Sequence, residues 1–274
     1  MPPPLVAPRP GPLREFPPDV PVLGVFTDID DTLTTDGAIT TDALDALARL
    51  RAAAIPVIAI TGRPTGWSEP FARAWPLDAI VAENGAVALF RRGARLCIEY
   101  AQAADVRAAN ARRLRYVAQR IVAEVPGATL SRDHAGRRTD IAIDHSEFAQ
   151  LPPAQVAHVL RLMRDAGMNA SVSSIHINGW FGEHDKLSGA RWIVQRLYGR
   201  SLDAESPAWV YVGDSTNDQR MFGHFDFSIG VANLRHFAAD LSVWPAYITE
   251  GERGAGFAQV ADVVLAARSG QHPC

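Results

Sequence analysis

Apolar and polar residues fall in blocks whose lengths change along the chain. Val22, Leu23, Val25 and Phe26 make a short apolar run that predicts a buried strand at about 22–28. Leu44, Leu47 and Leu50 recur at three-residue steps. They predict the apolar face of a helix over about 41–54, begun at Thr40 or Thr41 and closed before Pro56. Residues 56–60 read as a second short strand, 67–75 as a helix and 79–82 as a third strand. Strand–helix–strand–helix–strand is the order of right-handed βαβ units on a parallel sheet.

The rhythm changes after Asn84-Gly85. Residues 86–90 and 95–99 read as a hairpin around Arg91-Arg92-Gly93. A long helix over about 104–124 follows, then strands near 128–131 and 138–144. A helix over about 153–167, opened by Pro152-Pro153, precedes strands near 169–173 and 175–178. Polar and apolar residues alternate from Thr139 to Asp144, which predicts a half-exposed antiparallel strand. From Lys186 the first rhythm returns. A helix over about 186–199 leads to a buried strand at 208–212 ending in Gly213-Asp214, a short strand at 226–230 and a last helix near 254–267. The expected class is α/β: a parallel-sheet domain at 21–84 and 180–270, with an α+β domain at 85–179 inserted into it. Residues 1–20 hold eight prolines and read as an extended, flexible leader.

Composition narrows the choice. The 274 residues are 47% hydrophobic and carry a net charge of −3, enough for a sizeable core and too little positive charge to suggest nucleic acid or an anionic membrane as partner. Short clusters at Arg91-Arg92, Arg112-Arg113 and Arg137-Arg138 read as solvated faces. Two cysteines make no disulfide framework; Cys97 reads as a core residue and Cys274 as exposed. No segment approaches the ~18 apolar residues of a membrane span, and the N-terminus lacks a secretory apolar region, so the expected setting is cytoplasmic.

Four segments carry candidate chemistry. Asp28 and Asp30 follow the first apolar strand at spacing i, i+2. On a strand they would point to opposite faces, but where the chain turns at the strand's carboxyl end both can face one pocket, where open α/β sheets place their chemistry. A buried carboxylate pair needs a cation or a shared proton, which suggests Mg²⁺ with one Asp as nucleophile and one as acid/base. Thr61-Gly62, at the end of the second strand, offers a hydroxyl and an unobstructed N–H to an anion. Lys186 opens a helix, where a bound phosphate would favour a cation that the helix dipole disfavours. Asp214 and Asp218, at spacing i, i+4 in Gly213-Asp214-Ser215-Thr216-Asn217-Asp218, can share a cation site built of hard oxygens. Each has a plainer reading: capped turns for the aspartates, a common turn for Thr61-Gly62, and a surface residue for Lys186.

Taken together, Asp28-Ile29-Asp30-Asp31-Thr32, Thr61, Lys186 and Gly213-Asp214-Ser215-Thr216-Asn217-Asp218 resemble the four motifs of the haloacid dehalogenase (HAD) superfamily of Mg²⁺-dependent phosphotransferases. The resemblance covers essentially residues 22–265. Position 31, often Gly in that family, is Asp here and is assigned only the turn. The inserted domain lies where the family carries its C2 caps. Its β-β-α-β-β-α-β-β order resembles the C2B cap of sucrose-phosphate, trehalose-phosphate and mannosyl-3-phosphoglycerate phosphatases, phosphomannomutase and Cof-type sugar phosphatases. Glu83-Asn84-Gly85-Ala86 and Ile229-Gly230-Val231-Ala232-Asn233 also look like this branch.

The resemblance implies a Rossmann-like core and an aspartyl-phosphate mechanism on a small phosphorylated substrate, with a sugar phosphate favoured. Asp28 would be the nucleophile and Asp30 the acid/base. Mg²⁺ would be held by Asp28, the Asp30 backbone carbonyl, Asp214 and, in or beside the shell, Asp218. Thr61, Gly62, Lys186 and Asn217 would serve the phosphate. Cap candidates for the leaving group are Arg132, Arg138, His176 and Asn178, with His134, Arg137 and Asp140 beside them. Trp67, Trp75 and Trp180 could stack on a sugar, or fill the core. A phosphomutase, and a non-catalytic phosphosugar-binding module, are the alternative readings.

Overall fold

Residues 10–269 are described by the structure, a computed structural model, and they fall into two units. The first comprises residues up to Ala59, Trp75–Asp78 and the chain from Val194; the second comprises Ile60–Ala74 and Ala79–Ile193. The boundaries fall inside one strand and one helix, β5 (Val57–Ile60) and α5 (Lys186–Tyr198).

In the first unit, β1 (Gly11–Pro12), β2 (Gly24–Thr27), the small hairpin β3 (Thr34–Thr35) and β4 (Ala38–Ile39), and α1 (Thr41–Ala52) precede β5. After α5 come α6 (Leu202–Glu205), β13 (Trp209–Gly213), α7 (Gln219–Phe222), β14 (Phe227–Gly230), β15 (Tyr247–Ile248) and α8 (Arg253–Ser269). The strands β1-β15-β14-β13-β2-β5 pair in parallel in that order. Every residue of β2, β5 and β13 is buried, as expected of parallel strands covered on both faces. Gly24 is required here: a Cβ would lie 2.4 Å from the Trp209 ring, which stacks on Phe26 at 4.8 Å. The helix α1 packs on α8.

Two expectations are corrected in this unit. The apolar face of α1 is Ala43, Ala46, Leu47 and Leu50, while Leu44 stays 37% exposed, because a 3.6-residue period rotates a strict three-residue step off the face. Residues 11–20 are no loose leader. β1 adds to β15, and Leu13, Phe16 and Val20 are buried, with Phe16 stacked on Phe227 and Tyr247. Proline density masked these anchors, and Pro12 sits on an edge strand, where a missing N–H is harmless. Residues 1–9 and Cys274 lie outside the described residues.

The second unit contains α2 (Thr65–Ala74), β6 (Ala79–Ala82), β7 (Val87–Arg92), β8 (Arg95–Tyr100), α3 (Ala104–Glu124), β9 (Thr129–Leu130), β10 (Asp140–Asp144), α4 (Pro153–Asp165), β11 (Asn169–Val172) and β12 (His176–Trp180). The hairpin β7–β8 pairs antiparallel with β6, and not with the four-stranded antiparallel sheet β11-β12-β10-β9. That sheet shares one core with α3 and α4, in which Leu114, Val117 and Ile121 meet Val159, Met163, Ile143 and Ile177. Removing Ile121 side-chain volume there should cost about 2–5 kcal/mol.

The alternation at 139–144 is deceptive. All five residues of β10 are buried, because Asp140 pairs with Arg137 and Asp144 accepts the N–H groups of Glu147 and Phe148. Cys97 is half-buried, on the end strand β8.

Candidate active site

The acidic groups of the first unit begin where β2 ends. The Asp28 N–H continues the ladder to the Val212 carbonyl at 2.9 Å, and its Oδ1 accepts the Ile29 N–H at 2.8 Å. The chain then turns around the Ile29 carbonyl, which accepts the N–H groups of Thr32, Leu33 and Thr34 and the Thr34 hydroxyl. Asp31 takes a left-handed φ of 54° in this turn. That position suits Gly best and tolerates Asp. It is braced by Asn233, whose Nδ2 donates to the Asp31 carbonyl, and by Arg253, 3.1 Å from its carboxylate. Asp30 is buried in the same turn.

On β13 the chain is built to bring Asp218 back over Gly213. A Cβ at Gly213 would lie 2.5 Å from Asp218 Oδ2. That oxygen accepts the N–H groups of Asp214 and Ser215, and Oδ1 accepts the Tyr211 hydroxyl. Ser215 closes a capping box with Asp218, and its hydroxyl donates to Asn217 Oδ1 at 3.0 Å. Thr32 Oγ1 donates to Asp214 Oδ1 at 3.4 Å. One oxygen from each of Asp28, Asp214 and Asp218 lies within 4.8 Å of the others, and all three residues are buried. Burial and the charges of Asp218, Asp28 and Asp214 push the Tyr211 hydroxyl well above its ordinary range. Three buried carboxylates at this spacing offer an oxygen-only donor set that fits a hard divalent cation such as Mg²⁺. With both oxygens of Asp218 engaged by the loop, Asp28 and Asp214 are the better-placed ligands.

The second unit holds the other predicted groups. Thr61 follows β5; its N–H donates to Val81 O, its hydroxyl accepts the Arg63 N–H, and its carbonyl accepts the Asn84 N–H. The Gly62 carbonyl accepts from Arg137 at 2.9 Å and Asn178 at 3.1 Å, and a Cβ at Gly62 would strike Asn178. Lys186 is buried at the start of α5, behind a reciprocal cap: the Ser188 N–H donates to Asp185 Oδ1, and the Asp185 N–H to Ser188 Oγ. Gly85, at φ 105°, lies against the Asp185 carbonyl and Gly189 with no room for a side chain on either glycine. The turn at 83–85 thus joins the Thr61 segment, through Asn84, to the helix that carries Lys186.

Around Gly62 lies a charge cluster that sequence reasoning passed over. Arg63 pairs with Glu147 at 2.8 Å and Asp133 at 3.3 Å; Arg137 pairs with Asp140 at 2.9 Å and Asp133 at 3.3 Å. Arg137 is therefore a buried ion-pair partner and no solvated face. Burial lifts Asp140 to about 7 against the pull of Arg137. Burial opposes the ionised forms of Asp133 and Glu147 too, but Arg137 and Ser131 hold the first below its ordinary value, and His176 and Arg63 the second. Glu83, wholly buried, accepts the N–H and hydroxyl of Thr65, the N–H and hydroxyl of Thr139, and the Arg138 N–H. The one available signal was its place beside Asn84-Gly85, ahead of a left-handed turn.

The cap candidates divide. His176 is buried and bonded to Glu147, and Asn178 is buried and bonded to Gly62. Arg132 and Arg138 are exposed, Arg132 stacked 3.7 Å from the Phe148 ring. His134 is exposed, and its Nδ1 lies 3.1 Å from the Ser131 carbonyl. Of the tryptophans, Trp75 and Trp180 are buried, and Trp67 lies under the Arg63 guanidinium at 5.0 Å.

Residues 25–110 match the family model of the haloacid dehalogenase-like hydrolases. Among solved structures, a Thermoplasma acidophilum protein matches with a TM-score of 0.69 at 15% identity, over 89% of this chain and 99% of its own. The sucrose-phosphatase of Synechocystis, solved with sucrose and phosphate, matches at 0.63 and 15% over 90% and 98%. A sugar phosphatase of HAD subclass IIB matches at 0.59 and 15%, also over 90% and 98%. No curated protein matches in sequence. The family match covers residues 25–110, and the structural matches, at 15% identity, show a shared fold.

Proposed function

We propose that the protein is a Mg²⁺-dependent phosphatase of a sugar phosphate or a related small phosphorylated metabolite. Residues 21–84 and 180–270 would form its catalytic core and 85–179 its cap, except that the hairpin β7–β8 pairs with β6 and not with the sheet of the cap. The observation that carries this reading is the buried group of Asp28, Asp214 and Asp218, with ligand oxygens within 4.8 Å of one another. The activities of the Synechocystis sucrose-phosphatase and the subclass IIB sugar phosphatase support the substrate class.

Asp28 and Asp214, with the Asp30 carbonyl, would hold the cation, and Asp218 fixes the Asp214 loop behind them. When bound, Mg²⁺ supplies positive charge between an anionic nucleophile and a phosphate dianion. A carboxylate oxygen of Asp28 attacks phosphorus, and the bond from phosphorus to the leaving oxygen breaks. Asp30 gives its proton to that oxygen, then takes one from the water that hydrolyses the aspartyl-phosphate. Thr61, the Gly62 N–H and Lys186 bind phosphoryl oxygens, and Asn217 supports them. Arg132 is assigned to the leaving group, with His176 and Asn178 beside it, whereas Arg138 lines a different cavity of the second unit. A cytoplasmic setting, without nucleic acid or membrane as partner, belongs to the same reading and rests on composition. Among the described residues, no helix is long and apolar enough to cross a membrane.

The test is release of inorganic phosphate from a sugar-phosphate panel by purified protein with Mg²⁺ and no bisphosphate activator. Release that depends on Asp28 is expected. A bisphosphate requirement would turn the reading into a phosphomutase, and no reaction with any member would overturn it.

A further inference from the structure

A cavity of about 180 Å³ lies wholly inside the second unit, between α3 and the edge of the four-stranded sheet. It exists because β9 is only two residues long. It pairs with β10 at Ile143 and Asp144, and the Ser131 N–H donates to the Ala142 carbonyl, so Asp140 and Ile141 lie beyond the paired stretch and line the cavity. Leu114 and Ala118 of α3, with Leu130 and Ile141, give it an apolar lining, and Arg115 and Arg138 stand on the same wall. Both arginines are exposed, and neither guanidinium makes an ion pair or hydrogen bond among the described residues. The one carboxylate on the lining, Asp140, is already held by Arg137. The cavity therefore combines apolar walls with an unbalanced surplus of positive charge.

We propose that this cavity is a second ligand site, separate from the carboxylate group of the first unit, and that it takes a small aromatic carboxylate. Arginine forks match carboxylates in geometry and form the stronger, charge-assisted class of hydrogen bond. The size suits a single ring, since apolar cavities of about 150 Å³ admit benzene. None of Thr61, Gly62 or Lys186 lines it. It is nonetheless wired to that region: Arg137 lines the cavity and donates to the Gly62 carbonyl, and the Arg138 N–H donates to Glu83.

The test is a titration of the full chain with 4-fluorobenzoate, followed by fluorine NMR, beside 4-fluorobenzyl alcohol as the uncharged control. Saturable binding of the acid and none of the alcohol is expected. Arg115→Ala and Arg138→Ala should each weaken it by about tenfold, the worth of one charge-assisted hydrogen bond. Arg115→Lys, which keeps the charge and loses the fork, should keep only part of it, and saturating inorganic phosphate should not displace the probe. Both arginines are exposed, so these variants should fold; Ala118→Leu, which fills the cavity, is the independent check. Absence of saturable binding, equal binding of the alcohol, indifference to both arginines, or displacement by phosphate would each overturn the proposal. No turnover is measured, so failure here leaves the phosphatase reading intact, and failure there leaves this one intact.

Discussion

Asp28, Asp214 and Asp218 in the first unit, and Glu83, Asp133, Asp140 and Glu147 in the second, are all carboxylates largely withdrawn from water. Their surroundings differ. The second group is interleaved with Arg63 and Arg137 and closed by backbone N–H donors. The first group is drawn together by a glycine, a tyrosine hydroxyl and loop amides, and burial together with its charges lifts Tyr211. Burying a carboxylate is costly in either place. A cluster with internal cations is a piece of architecture, whereas one that concentrates negative charge is prepared for a cation from solution. The contrast separates scaffold from chemistry without appeal to position in the sequence.

The largest effect should come from the nucleophile. Asp28→Asn should lower phosphate release by about three orders of magnitude or more while leaving the thermal midpoint close to wild type. Retention of activity within tenfold would remove Asp28 from its role.

Next is the opposite response of the two clusters to neutralisation. Arg63→Leu removes one partner from Glu147 and Asp133, which keep His176 and Arg137, and should cost about 1–3 kcal/mol in urea unfolding. Asp214→Asn relieves like-charge repulsion and should leave metal-free stability equal or higher. It should also abolish the stabilisation expected of Mg²⁺ on wild type, about 2.7 kcal/mol at a hundred times the dissociation constant, read as a rise in thermal midpoint. If Asp214→Asn destabilised as much as Arg63→Leu, the distinction between the clusters would fail.

A smaller, selective effect is expected at Asp30. Asp30→Asn should slow sugar phosphates more than aryl phosphates, whose leaving groups need little protonation. Equal losses would deny it the role of leaving-group acid.

The smallest effect is one of pH. Burial holds His184 neutral down to about 4, against an ordinary value near 6.5. Between those values the unfolded chain binds the extra proton, so stability present above pH 6.5 is lost as pH falls towards 4. His184→Gln should flatten that acid limb in a series of thermal melts, and an unchanged slope would show that other groups set it.

Where one residue's chemistry dictates the local structure, the chain was legible. The helix expected over 104–124 is Ala104–Glu124, and the two acidic segments end β2 and β13 as read. Thr61 and Lys186 likewise fall after β5 and at the start of α5. Partnership between distant residues was not legible. Arg137 looked solvent-facing because its partners, Asp133 and Asp140, come together only through a turn. Asp140 and Asp144 looked half-exposed because alternation reports side-chain direction, and both faces of β10 are covered. The packing of Leu13 and Phe16 was hidden by their prolines, and β15, two residues long, is too short to carry a period.

The contact between Gly85 and Gly189 sets a constraint in time as well as in space. The Thr61 segment is synthesised early, but the glycine that fixes the helix of Lys186 lies about a hundred residues later, a loop whose closure costs entropy that only the finished α+β segment can offset. A nascent chain halted before Gly189 therefore has a threonine but no fixed lysine. If Thr61 and Lys186 bind phosphate as proposed, that affinity should arrive late in synthesis, in one step, when two bare stretches of backbone meet.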